Sequence, residues 1–314
     1  MKNEDIVAIL GLLGMTLSRV RPDVPIAGSP ERSLERTAVE DCDGRIWILE
    51  RLDPRTLARK TEIASAVSFL GGRLPEVKPY LAFAPGRFIA EHEGGAWQVA
   101  PYVAGIPQER PEFAFEAWRG GVLADLLIRL RKAARDIPGC DGAPAFSLAD
   151  FIRDLIGKLS IQERPLLERV YPAVLCLERG LFPKLDGLPA AFCHGDFHPL
   201  NVIWSPVGIS ALIDWEFCGF RPETYDAALL VGCLGMEDPR CLSGDLVRSL
   251  VSRLRAGAGY SEAGWESFFD LVLAVRFAWL SDWLRREDRE MVDLEAVFIG
   301  LLLENREALT KAWA

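Results

Sequence analysis

The sequence predicts an α+β protein with two lobes: a small N-terminal lobe built on an antiparallel sheet with one main helix, and a larger, mostly helical C-terminal lobe. At 314 residues the chain exceeds a typical single domain, which favours two lobes. Hydrophobic residues make up 50% of it, ample for a buried core. Strand patterns dominate the N-terminal third, and apolar residues recur at helical spacing from residue 108 onward.

The N-terminal lobe, residues 1–101, is predicted from strand patterns that surround one helix. Asp43-Gly44 is a strong hairpin signal between two of these strands, and Gly71-Gly72 ends the main helix. The predicted elements are a short amphipathic helix at 5–15, a strand and loop at 24–33, strands at 34–40 and 45–52, the main helix at 57–70, and strands at 87–92 and 96–103.

Residues 102–107 are predicted to form a hinge, and residues 108–314 the helical C-terminal lobe. Ser147 has the side chain of a helix N-cap, since its hydroxyl can accept a hydrogen bond from a backbone N–H of the first turn. The predicted helices lie at 111–134, 148–159, 165–181, 243–256, 261–286 and 288–313.

The stretch 191–230 carries the residues on which a functional interpretation depends. Asp196, Asn201 and Asp214 have oxygen-bearing side chains of the kind that hold Mg²⁺. Two short strand patterns with Pro and Gly between them predict a hairpin over 202–213. Folding this hairpin would bring Asp214 alongside Asn201 and the loop that carries Asp196, so two acids and an amide would converge.

His194-Gly195-Asp196, then Asn201, then Ile213-Asp214-Trp215 resemble the catalytic core of the aminoglycoside phosphotransferase and choline kinase family. These are small-molecule kinases with a protein-kinase-like fold. The protein-kinase pattern has the same order and the same Asp-to-Asn spacing. The resemblance is strong over 191–230 and fair over 97–130.

This resemblance implies a catalytic loop at 194–201 and a metal-binding hairpin at 202–216. It also implies ATP and Mg²⁺ as cofactors, with the γ-phosphoryl group moving to a hydroxyl of a small molecule such as an aminoglycoside, choline or homoserine. The sequence does not choose among these acceptors, because a fold does not fix a substrate.

The resemblance also implies a role for each residue of the motif. Asp196 would be the catalytic base that accepts and orients the acceptor hydroxyl, and His194 would position the loop. Asn201 and Asp214 would hold Mg²⁺ between the phosphates. Asp226 resembles the acid that braces the catalytic loop from below.

Five further residues are candidates for substrate contacts. His198 and Glu216 lie near the predicted metal site in the sequence. Trp279 and Trp283 are four residues apart on one predicted helix, with Asp282 between them. An aromatic pair with an acid can hold a cation, but tryptophans at helical spacing are more often core residues.

The N-terminal lobe departs from the family pattern at the phosphate-binding lysine, which such enzymes place on the strand before the helix. Glu50 stands in its place, and the nearest downstream lysine is Lys60. We therefore expect Arg51 to contact the phosphates and to pair with Glu62. Arg36 on the preceding strand is the rival candidate.

The predicted phosphate loop, residues 27–33, contains one glycine instead of a Gly-rich motif. Ser33 and nearby backbone N–H groups could still cradle phosphates. At the hinge, backbone groups around Tyr102 are expected to meet the adenine edge, although Pro101 removes one donor.

Composition excludes several other classes of function. The formal net charge of -9 argues against nucleic-acid or anionic-membrane binding. Seven scattered cysteines without a C-x-x-C argue against a zinc site or a disulfide framework, and they favour a cytoplasmic protein. The apolar run 6–15 is short and follows two acids, unlike a signal peptide. We expect no membrane span, and the oligomeric state is left open.

Two alternatives remain at this point. A pseudokinase or nucleotide-binding module would keep the fold without transfer, and the missing lysine and the sparse glycines favour it. A metal hydrolase would use His194, His198 and Asp196 as ligands of a transition metal, but it leaves Asn201 and Asp214 unexplained.

Overall fold

A computed structural model describes residues 1–26, 33–138, 146–257 and 259–314. The chain divides into two compact units near the predicted hinge. The first unit comprises Met1–Pro107, Asp136–Gly142 and Leu200–Cys218, and the second comprises Gln108–Arg135, Ala143–Pro199 and Gly219–Ala314. Residues 27–32 of the predicted phosphate loop 27–33 lie outside the described residues.

Nine strands form three antiparallel sheets in the described parts of the chain. The first unit holds a five-stranded sheet of order β1-β2-β3-β5-β4 and the β7–β8 hairpin, and the second holds the β6–β9 pair. The strands are β1 (Leu17–Val20), β2 (Ser33–Asp41), β3 (Ile46–Leu52), β4 (Ala90–His92), β5 (Gly95–Pro101), β6 (Ala190–Cys193), β7 (Val202–Ser205), β8 (Gly208–Leu212) and β9 (Gly219–Pro222).

Eleven α-helices are described, two in the first unit and nine in the second. They are α1 (Asn3–Leu12), α2 (Leu57–Gly71), α3 (Ala117–Ala133), α4 (Leu148–Gln162), α5 (Arg164–Gly180), α6 (Tyr225–Glu237), α7 (Asp245–Ala256), α8 (Glu262–Glu266), α9 (Phe268–Arg285), α10 (Arg289–Glu304) and α11 (Arg306–Ala312). The architecture confirms the predicted α+β class, with the five-stranded sheet near the N-terminus and a mostly helical remainder.

Strand alternation gives the five-stranded sheet two different faces. On one face Leu49 of β3 and Val99 of β5 are buried with Ile9 and Leu10 of α1. Glu50, the next residue along β3, therefore points to the opposite face, where the pocket described below lies. The alternation of side chains along β3 thus decides that Glu50, and not its neighbours, faces the pocket.

The β7–β8 hairpin, which the sequence assigned to the C-terminal lobe, clusters with the first unit. Backbone hydrogen bonds hold it on both edges: Leu212 donates to the Glu76 carbonyl at 2.8 Å, and Ile106 donates to the Trp204 carbonyl at 2.9 Å. Gly105 permits the second contact, because a Cβ there would lie 2.6 Å from the Ile203 side chain. These two hydrogen bonds explain why the hairpin groups with the first unit and not with the C-terminal lobe.

Most predicted elements are present, with shifts at their ends. Ser147 caps α4 as predicted, accepting a hydrogen bond from the Asp150 N–H. The helix predicted at 111–134 begins only at Ala117, after a 3₁₀ turn. The helices predicted at 261–286 and 288–313 are interrupted at Ser267 and Asn305, which separate α8 from α9 and α10 from α11.

Within the described residues, no helix combines the length and the apolar character that crossing a membrane requires.

Helices α3 and α7 pack closely at a glycine, which yields a stability prediction. A Cβ at Gly120 would lie 2.1 Å from the Leu246 carbonyl oxygen, a backbone atom that cannot move alone. Gly120→Ala should therefore cost about 1–3 kcal/mol or more through overpacking.

The adjacent Gly121→Ala is the matched control, since its Cβ would meet only the Ser249 hydroxyl at 3.7 Å. Better helix propensity should make it neutral or stabilising by up to about 1 kcal/mol. Urea denaturation of both variants measures the difference, and equal midpoints would contradict the packing described here.

Candidate active site

A pocket of the first unit lies against the face of the sheet that carries Glu50. Its walls come from β3, α2, the end of β5 and the segment that follows β8. The charged lining residues are Arg36, Glu50, Lys60, Lys78, Asp214 and Glu216.

Lys60, on the first turn of α2, is the buried cation of this pocket. Its side chain is 3% exposed, and its ammonium group donates a hydrogen bond to the Glu216 carboxylate. The second acid near it is Glu50, whose Oε2 lies 3.7 Å from Nζ. A buried ammonium is tolerated only with such partners, because removing it from water is costly.

Glu50 also contacts Arg36, which lies directly opposite it in the β2–β3 register. The Arg36 Nε and the Glu50 Oε1 are 2.7 Å apart, and both side chains are largely buried. Arg36, predicted as the rival phosphate contact, therefore lines the pocket but is held by Glu50.

The predicted pair of Arg51 with Glu62 is wrong. Arg51 lies 3.7 Å from Glu35 and over the Trp97 ring, and it does not line the pocket. Glu62 is half exposed and pairs with Arg59. The reason is the strand period: Arg51 follows Glu50 and so points to the other face of the sheet.

Two predicted nucleotide contacts, Ser33 and Tyr102, line the pocket. The N–H of Tyr102 donates to the Ile46 carbonyl at 3.0 Å, extending the β3–β5 ladder by one bond. The prediction that this backbone meets the adenine edge therefore needs another group of the 100–103 segment as donor.

Asn201 and Asp214 flank the β7–β8 hairpin, as predicted. The Ile213 N–H donates to the Asn201 carbonyl at 3.0 Å, which fixes the two ends of the hairpin together. Asn201 is buried, and Asp214 has a left-handed backbone with φ of 62°. A non-glycine residue in this region is a strained position of the kind found at functional sites.

The pocket is electrostatically unusual around Tyr80, which also lines it. Burial raises the pKa of the Tyr80 hydroxyl well above its ordinary value, and the nearby carboxylates of Glu50, Glu216 and Asp214 raise it further. Three acids thus act on the hydroxyl of one partly buried tyrosine.

In the second unit, a buried carboxylate holds the loop that carries Asp196. Asp226 accepts hydrogen bonds from the N–H of His194 at 2.7 Å and from the N–H of Gly195 at 2.8 Å. Gly195 has a φ of 80°, which favours glycine at this point of the loop. Burial raises the pKa of the Asp226 carboxyl, and His194 and the two N–H donors oppose that rise.

His194 is fully buried and positions the residue that follows Gly195. Its Nδ1 accepts a hydrogen bond from the Asp196 N–H at 3.3 Å. His198 lies close to the Asp196 side chain, with Nε2 3.5 Å from the carboxylate. The His198 ring in turn meets the Trp279 ring edge-on at 5.5 Å.

Trp279 and Trp283 are neighbours, with ring centroids 5.7 Å apart. The carboxylate of Asp282 is bound by Arg285 at 2.6 Å and by Arg286 at 2.8 Å. Two arginines thus offset its charge, and the cation-binding role of this group stays a prediction.

Sequence reasoning passed over the contact between Lys60 and Glu216. In the sequence, Lys60 is only the nearest lysine downstream of the strand, because the pattern of this family places the cation on β3. The signal in the sequence is an acid, Glu50, on the strand and a base, Lys60, on the helix, the reverse of the family's charge pattern.

The chain belongs to the phosphotransferase enzyme family, whose family model matches residues 30–267. The predicted resemblance to the aminoglycoside phosphotransferase and choline kinase family is thereby confirmed.

A homoserine kinase from Nitrobacter hamburgensis (strain DSM 10229 / NCIMB 13809 / X14) is 26% identical over 223 residues. The match covers 67% of this chain and 61% of that kinase, so it spans about three fifths of the relative's length.

Two solved structures show the same fold at low identity. The GDP complex of aminoglycoside 2'-phosphotransferase-IIIa has a TM-score of 0.67 at 15% identity, covering 97% of this chain and 98% of that one. An amicoumacin kinase in complex with AMP-PNP, Ca²⁺ and Ami has a TM-score of 0.65 at 13% identity, covering 97% and 94%. They confirm the predicted kinase-like fold.

The contact between Asp226 and the loop leads to a second prediction. Asp226→Ala leaves two buried N–H groups without an acceptor, and each should cost about 1–3 kcal/mol of unfolding free energy. Asp226→Asn keeps one acceptor oxygen and should cost less. Chemical denaturation ranks the three proteins, and an Asp226→Ala variant as stable as the parent would show that the loop does not need this acid.

Proposed function

We propose that this protein transfers the γ-phosphoryl group of ATP, bound with Mg²⁺, to a hydroxyl of a small molecule. The observation that carries the proposal is one pocket that combines a buried cation, Lys60, with Asp214, next to the end of β5. A nucleotide needs both a cation for its phosphates and an acid for its metal.

The charges of the pocket explain why a metal would be required. Three cationic side chains and three acidic ones line it, so its formal charge is balanced. A nucleoside triphosphate carries several negative charges and gains little from such a pocket alone. Divalent cations bound beside the acids would supply the missing positive charge.

Asn201 and Asp214 fit a hard divalent cation, because an amide and a carboxylate offer the oxygen ligands that Mg²⁺ prefers. When bound, the metal would neutralise the charge that develops between the phosphates. The backbone bond between Ile213 and Asn201 holds these two ligands in a fixed relation, which limits the reorganisation that metal binding requires.

Asp196 is proposed as the catalytic base, accepting the proton of the acceptor hydroxyl as the phosphoryl group is transferred. Its backbone N–H is tied to His194, which is held in turn by the buried Asp226. The loop is therefore oriented before any substrate binds, which lowers the cost of positioning the hydroxyl.

For the acceptor, we propose a hydroxyl compound that also carries an amine. The matched relative is named a homoserine kinase and a structural neighbour an aminoglycoside phosphotransferase. Homoserine, aminoglycosides and choline all combine a hydroxyl with a cationic nitrogen. From Asp196 to Asp238 the chain has seven acidic residues and one base, Arg221, a balance that favours a cationic or neutral acceptor.

We also propose that the enzyme acts in the cytoplasm. Its described cysteines are free thiols, and several of them are buried, as expected for a reducing compartment.

The test of this function is an ADP-release screen with Mg-ATP and hydroxylated amines, with homoserine, choline and kanamycin as the first members. Acceptor-dependent ADP release, with a phosphorylated product seen by mass spectrometry, is the expected result. Tight Mg-ATP binding without transfer to any acceptor would instead favour a pseudokinase.

Replacing Asp196 by Asn tests the base. The amide keeps the shape but cannot accept the proton, so turnover should fall by about 10²–10⁴-fold. The affinity for Mg-ATP, measured by calorimetry, should stay close to that of the parent. Near-normal turnover would remove Asp196 from this role.

Asp214→Asn tests the metal site with little backbone strain, because Asn tolerates the left-handed conformation at this position. It should remove the Mg²⁺-dependent part of ATP binding, and Asn201→Ala should weaken that part less. Titrations with and without Mg²⁺ measure both effects. If Mg²⁺ strengthens ATP binding to Asp214→Asn as much as to the parent, the metal lies elsewhere.

A further inference from the structure

We infer that the strand–helix ion pair of kinase-like enzymes is charge-reversed in this protein, and that Lys60 on α2 is the residue that binds the nucleotide phosphates. This inference rests on the proposed function, because it assigns the phosphate contact of the same pocket.

The first step concerns position. Kinase-like enzymes place a lysine on the strand before the helix and a glutamate on the helix. Here β3 offers Glu50 to the pocket and α2 offers Lys60, and the two charged groups are 3.7 Å apart. The pair is present, but each partner occupies the other's element.

The second step compares Lys60 with the other cations of this pocket. Arg36 lies opposite Glu50 in the sheet register and 2.7 Å from its carboxylate. Lys78 donates to the Pro75 carbonyl, a neutral partner close to it in the chain. Lys60 contacts Glu216, two residues beyond the metal candidate Asp214, which places its ammonium beside the segment that would hold the metal.

The third step explains what Glu216 does. A lysine that is 3% exposed needs a carboxylate to remain charged in the protein interior. Glu216 supplies it and holds the ammonium beside the Asp214 segment. Asp214 lines the same pocket as Lys60, so a metal held by Asp214 and the Lys60 ammonium would both supply positive charge to the nucleotide phosphates.

The experiment compares the binding of Mg-ATP and of adenosine to Lys60→Met by calorimetry. Mg-ATP affinity should fall roughly 10- to 100-fold, the scale of one lost charge-assisted hydrogen bond. Adenosine affinity should be unchanged, which a general loss of structure would not allow. Arg51→Met, outside the pocket, is the neutral control, and Lys78→Met should have the smaller effect.

Lys60→Met takes from Glu216 the cation beside it, whereas Glu50 keeps Arg36, and the variant could fail to fold. The charge-neutral double variant Lys60→Met/Glu216→Gln removes both partners and should show the same selective loss of Mg-ATP binding. Parent-like Mg-ATP affinity in either folded variant, or a larger loss in Lys78→Met, would overturn the assignment of Lys60.

The reversal itself is tested by exchanging the pair. Glu50→Lys and Lys60→Glu should each weaken Mg-ATP binding, and the double exchange should recover part of the loss, because it restores one ion pair. Strictly additive losses would contradict the pairing. A parent that binds no Mg-nucleotide would overturn the proposed function as well, whereas loss in Asp214→Asn but not in Lys60→Met would overturn this inference alone.

Discussion

The pocket depends on one buried ammonium group. Lys60 is almost inaccessible to water, and a charge in that position is stable only because Glu216 and Glu50 lie beside it. The acids need the lysine equally, since Asp214 adds a third carboxylate to the same wall. Removing Lys60 would take this cation from Glu216 beside Asp214, with little solvent to screen the two carboxylates, whereas Glu50 would keep Arg36 at 2.7 Å.

In the other unit, a buried side chain likewise holds a segment in place. The carboxylate of Asp226 accepts the N–H groups of His194 and Gly195, and the Asp196 N–H is bonded to His194. In each unit a buried ionisable side chain therefore holds a segment that carries a candidate functional group: Lys60 holds the segment of Asp214, and Asp226 holds the loop of Asp196. Such fixed polar networks lower the reorganisation needed during reaction.

The candidate catalytic motif could be predicted from the sequence because its residues are close together in the chain, and because the Pro-Gly turn predicts the hairpin that brings Asn201 and Asp214 to one end. The proposed phosphate contact of Lys60 could not be predicted from the sequence. Lys60 and Glu216 are distant in the chain, and the family pattern places the cation on β3, which favours Arg51 over Lys60. Helix α6 was missed for a different reason: it is apolar on nearly all sides, so no amphipathic period marks it. The strands β6 and β9 have only four residues each, too few for a pattern.

The most direct test of this account is a crystal structure of the protein with Mg²⁺ and AMP-PNP. We expect the phosphates within hydrogen-bonding distance of the Lys60 ammonium, and the metal coordinated by Asn201 and Asp214. A nucleotide bound away from this pocket, or phosphates held by Arg51 while Lys60 stays with Glu216, would contradict it.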